Sequence, residues 1–197
     1  MSQYVMMSAA TAIARPRLSA YLRAPVAPAS TWAEDDWTGL CEAWNDGDVR
    51  RRYRAELAGA VRECDRWIGG DYAGLLRGLD GDGCLTAGFD EASGSLTLDF
   101  EARVDFRLPT LVWAFTALRG MTAFMAGDDG GLLTATVDWS DDRVLMHLAP
   151  KRSSFLDGSR DAEALSRARD AAFDVRCAAE DGEAGSATEL IGRLLED

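Results

Sequence analysis

The chain has 197 residues, with 33 acids against 21 bases, a formal charge of −12 and 47% hydrophobic residues. That balance is globular rather than disordered, and the length suits one domain. So large an acid excess excludes nucleic-acid binding through a general basic surface, which needs many phosphate-neutralising cations.

Taken in chain order, Ser2 to Ser8 reads as a short strand, and Pro16, Pro25 and Pro28 then argue against continued regular structure. Thr31-Trp32-Ala33-Glu34 fits a capping box opening a helix whose apolar face is Trp37, Leu40, Cys41 and Trp44. Asn45-Asp46-Gly47 ends that helix, and Asp48 is placed to cap the next, with Val49, Tyr53, Leu57, Val61, Cys64 and Ile68 on one face. A shorter helix carries Tyr72, Leu75, Leu76 and Leu79.

The period then shortens to two. Leu96, Leu98, Phe100, Ala102, Val104 and Phe106 alternate with Thr97, Asp99, Glu101, Arg103 and Asp105, which predicts a strand with one buried and one wet face. Cys84 to Phe89 is its hairpin partner. Pro109 opens a helix running to about Met125 and apolar nearly all round, so it belongs deep between layers. A second hairpin pairs Leu133, Ala135, Val137 and Trp139 with Val144, Met146 and Leu148, turning at Ser140 to Arg143. Lys151 to Ser159 reads as a connection. A helix from about Asp161 to Ala179 places Leu165, Ala168, Ala172 and Phe173 inward, and Ser186-Ala187-Thr188-Glu189 caps a last helix bearing Leu190, Ile191, Leu194 and Leu195.

This order predicts a single α+β domain. Its antiparallel sheet has about four to five strands, as two hairpins around a buried helix, covered by N-terminal and C-terminal helices. The helical layer spans 31–80, the sheet with its central helix 84–149, and the C-terminal helices 161–197. The four cysteines Cys41, Cys64, Cys84 and Cys177 form no CxxC pair, which argues for reduced structural thiols and a cytoplasmic protein. The use of arginine for every base but Lys151, with many Ala, Gly and Asp, reads as the coding bias of a GC-rich bacterial genome. No signal peptide or membrane span is read in the chain.

Few residues carry a chemical signature. His147 is the single histidine, so no two-histidine metal site is available, and nucleophile-elbow, zincin and P-loop patterns are absent. Asp80-Gly81-Asp82-Gly83 begins like a calcium loop, but Leu85 stands where the loop needs glycine. Arg50, Arg51, Arg52 and Arg54 fan around a helix start beside Asp46 and Asp48, and salt bridging explains them. No cofactor or metal is expected.

The remaining signal is acidic. Asp99, Glu101 and Asp105 project from one sheet face, and Asp138, Asp141 and Asp142 crowd a hairpin tip. Clustered carboxylates that meet a basic partner turn self-repulsion into steering and specificity. The reading is an acidic binding protein that inhibits or sequesters a basic protein partner, as an immunity protein neutralises a nuclease-like toxin. It involves neither direct nucleic-acid contact nor a membrane. The alternatives are a small enzyme or ligand-binding domain with a pocket between sheet and apolar helix, and a structural or assembly subunit.

Overall fold

The computed structural model describes residues 3–81, 85–104, 108–137, 140–157, 161–180 and 183–196. Strand β1 (Gln3–Ala12) leads through helix α1 (Arg15–Arg23) and two 3-10 turns to α2 (Thr38–Glu42), α3 (Gly47–Trp67) and α4 (Tyr72–Gly81). Hairpin β2 (Leu85–Asp90) and β3 (Ser95–Val104) precedes α5 (Leu108–Arg119). Strands β4 (Gly130–Val137), β5 (Ser140–Ala149) and β6 (Arg152–Phe155) lead to α6 (Ala162–Glu180), a three-residue β7 (Glu183–Gly185) and α7 (Ala187–Leu195). The sheet is antiparallel throughout, in the order β6-β5-β4-β1-β3-β2-β7. The α+β class and the pairing of the two hairpins are as the sequence predicts, with more strands than expected. Ser140 to Arg143, read as the turn of the second hairpin, instead belong to β5, where Ser140 pairs with Val137 and Arg143 with Thr136.

The sheet separates two unequal layers. Val5, Met7 and Ala9 of β1, Leu96, Leu98 and Phe100 of β3, and Val144, Met146 and Leu148 of β5 face the main core. Burying each of the larger side chains contributes about 1.5–3 kcal/mol. Helix α5 is buried along nearly its whole length in this layer and packs against α3, while α1, α4 and α7 pack on one another in the same layer. Among the described residues, α6 is the helix that lies across the other face. There Leu165 packs on Leu132 and Leu145, with Ala168 and Ala172 beside them, in a small second core.

Several elements differ from the sequence reading. Strand β1 is ten residues long and central, not short. Pro16 sits in the first turn of α1, where its missing N–H costs nothing, so proline starts this helix instead of preventing it. Thr31 closes a 3-10 turn, and the cap ahead of α2 is the Asp36 carboxylate accepting from Ala33 N–H. Asp46, not Asp48, caps α3, accepting from the Asp48 and Val49 amides. β6 occupies part of the expected connection after Pro150, following Lys151 at φ 58°.

Arg119, at the end of α5, is 1% exposed. Its guanidinium lies 4.7 Å from the ring centroids of both Trp32 and Trp37, and Nε donates to Ser153 Oγ at 2.6 Å. Nη1 has no hydrogen-bond partner among the described residues, and burial pulls the pKa down to about 10. This side chain ties α5, the 3-10 segment and β6 together.

Candidate functional site

Sheet register sets the site. Thr134 of β4, Leu145 of β5, Ser8 of β1 and Asp99 of β3 stand side by side in one row facing α6. Arg176 of α6 donates to both Asp99 oxygens, at 2.9 and 3.2 Å, and to Ser8 Oγ, while Ser8 donates to Asp99 at 2.6 Å. The next row on that face is Arg143, Thr136, Met6 and Glu101, again directly paired across β5, β4, β1 and β3. Arg143 and Glu101 are exposed, and Met6 is 44% exposed. Four strands at their ordinary spacing put Arg143 and Glu101 about 14 Å apart, with an apolar side chain between them.

One flank of α6 overlooks this open row. Arg169, Phe173 and Arg176 follow at i, i+4 and i+7 and so share a side of the helix. Arg176 reaches Asp99, and Phe173, one turn away, is 66% exposed. The sequence reading placed Phe173 inward. The buried stripe instead runs through Leu165, Val175 and Ala179, which leaves Phe173 rotated away from the sheet. Met6, Phe173 and Trp67 are the large hydrophobic residues exposed among those described; Met6 lies in the open row, a shelf on this face, and Phe173 on the outward flank of α6.

The acidic residues read from the sequence do not form one open carboxylate patch. Asp99 is neutralised by Arg176, because the face predicted to be wet is half covered by α6. Asp142 is buried, its Oδ1 accepting from Asn45 N–H at 3.1 Å and Asn45 Nδ2 at 2.6 Å, so it joins β5 to the start of α3. Glu101 and Asp141 remain exposed. Asp105 and Asp138 lie outside the described residues. What the sequence did not reveal is the apolar element of the shelf, since Met6 and Phe173 become surface residues only through tertiary packing.

Two open volumes flank α6. A cleft of about 820 Å³ is lined by α2, the α2–α3 connection, β5, β6 and α6, with Glu42, Arg50, Asp141, Asp142, Arg143, Asp157, Asp161 and Arg169 among its walls. A smaller one of about 270 Å³ lies on the other side of α6, where Ala10, Ala12, Gly130, Gly131, Ala168 and Ala172 leave room. The sequence reading put a pocket between the sheet and α5. Nearly all residues of α5 are buried, and the smaller opening is on the opposite sheet face. The larger one wraps the β5–β6 edge, with Trp44, Asp142 and Phe155 on the α5 side of the sheet and Arg143 and Leu145 on the other.

His147 is exposed at the wall of the smaller pocket, on the face of Leu145 as expected. Partial burial and then the charge of Arg152 lower its pKa. Its cross-strand neighbours are Leu132 of β4 and Ser154 of β6. Burial raises the Cys41 thiol to about 11 and the Cys64 thiol to about 12, so neither is a nucleophile near neutral pH. Among the described residues no three His, Cys, Asp or Glu side chains converge on a possible metal position, and no helix is long and apolar enough to cross a membrane. Asp80, the start of the calcium-like motif, accepts from Thr188 N–H at 2.9 Å, and Glu91 pairs with Arg15. Comparison with family models, with curated proteins and with solved structures gave no match.

Proposed function

We propose that this is a binding protein that captures and inhibits a basic protein partner on the open half of the α6-side sheet face, in the manner of a toxin-neutralising immunity protein. The observation that carries the reading is the shelf itself. Met6 and Phe173 supply an exposed apolar centre, and Glu101, Asp141, Arg143 and Arg169 supply a charged rim. An apolar centre inside a polar rim is the usual anatomy of a protein interface. The basic character of the partner is argued from the whole-molecule charge of −12, since the rim carries two acids and two bases. The global field steers the encounter, and the mixed rim sets register.

The test is affinity capture from the native host with wild-type protein beside a Met6→Asp/Phe173→Asp variant. The expected result is a Lys- and Arg-rich protein that is retained at low salt, released as salt rises, and absent from the variant's eluate. Identical capture by the variant, or a retained partner that is acidic, overturns the proposal. The ligand-binding alternative is favoured by one observation, the 820 Å³ cleft beside the shelf, whose volume falls within the range of small-molecule sites.

A further inference from the structure

We propose that the cleft between α2, β5–β6 and α6 is a binding site for a multiply charged anion, a phosphate or carboxylate compound held by Arg50, Arg143 and Arg169. The three guanidinium groups come from three separate elements, α3, β5 and α6, and line the same volume of about 820 Å³. None of them has an ion pair among the described residues. This contrasts with Arg15, Arg17, Arg51, Arg54, Arg167 and Arg176, each paired with a carboxylate. Three arginines without an ion pair among the described residues thus line one cleft from different sides. A guanidinium presents a planar fork of N–H donors that matches the oxygens of phosphate or carboxylate, and three such forks suit a ligand with more than one anionic group.

The carboxylates of the cleft decide how strong that attraction is. Glu42 is neutralised by Arg54, and Asp142 is buried against Asn45. Asp161 accepts from Asp157 N–H at 3.1 Å, beside the start of α6. Asp141, exposed two residues from Arg143, and Asp157, exposed just after β6, are the acids that oppose an anion there, and Asp141 is the one beside an arginine of the proposed site. The site therefore makes two predictions of opposite sign. Removing the arginines weakens anion binding, and removing the Asp141 charge strengthens it.

The experiment is isothermal titration of the full chain with pyrophosphate and, separately, with citrate, at neutral pH and about 0.1 M salt. The expected result is saturable one-site binding of at least one probe, and which probe binds distinguishes a phosphate ligand from a carboxylate one. R143A/R169A is expected to lose about tenfold or more in affinity, and D141N to gain several-fold. All of these side chains are exposed, and circular dichroism checks that each variant folds. No saturation by either probe, unchanged affinity in R143A/R169A, or no gain in D141N overturns the proposal. The Met6→Asp/Phe173→Asp variant should keep its anion affinity, so failure here and failure of the partner reading are separate results.

Discussion

Arg119 is an arginine enclosed by two indole rings and one hydroxyl, with no carboxylate bonded to it. Two desolvated cation–π contacts of about 2 kcal/mol each work against a burial penalty of several kcal/mol. Packing therefore decides the balance. Arg119→Ala, which leaves a void between the rings, should cost about 3 kcal/mol in urea unfolding, while Arg119→Met should cost about 1 kcal/mol. Equal losses in the two variants would mean that the charge matters more than the volume. His147 gives a pH signature. Its folded-state pKa is lowered, by partial burial first and Arg152 second, so the unfolded chain takes up the proton first on acidification. Stability therefore falls as pH drops below about 6.5, and the melting temperature of His147→Gln should fall less over that window. At this scale the sequence was half legible. The face of His147 and the burial of Cys41 and Cys64 follow from period alone. The pairing of Asp99 with Arg176 joins residues 77 apart and does not.

Helix α6 is the element on which the surface depends, because it converts one face of the sheet into a covered part and an open part. It is held by a small apolar core and by the Arg176–Asp99–Ser8 cluster. Arg176→Ala should cost about 0.5–1 kcal/mol, since the pair is roughly 40% exposed at both ends. Hydrogen exchange should quicken selectively in the second half of α6, and uniform change across the sheet would argue that the helix is held elsewhere. The first hairpin, α3, α5 and α7 were readable because strict periods and end signals marked them, whereas the acidic run Ser140 to Arg143 mimicked a turn inside β5. β1, α1 and β6 were not. The Met-Met-Ser-Ala-Ala-Thr-Ala tract of β1 has small residues on the face where α6 lies close, which blurs its alternation. β6 is four residues long and is a strand only because β5 lies beside it.

For the whole molecule, the separation of steering from docking has measurable consequences. Phe173 is 66% exposed and Met6 44%, so Phe173→Asp should leave stability within about 0.5 kcal/mol of wild type and Met6→Asp, opposite Glu101, within about 1 kcal/mol, while each abolishes partner capture. A larger drop in stability would show that these side chains serve the fold. With the captured partner in hand, raising salt from about 0.05 to 0.5 M should slow association at least tenfold and change dissociation much less. The reverse pattern would assign the charge to local contacts at the rim. That −12 lies beside an almost neutral shelf was not legible from composition, because composition counts the acids that α6 and the helix caps consume.

Strand β1 occupies the middle of the sheet, and its neighbours β3 and β4 arrive far later in the chain, Ser8 meeting a residue 91 positions onward. A nascent chain leaving the ribosome thus exposes Val5, Met7 and Ala9 with no edge to lie against until β3 has emerged. Such distant closure places folding among the slower topologies, in milliseconds to seconds, and leaves an apolar ribbon available to chaperones meanwhile.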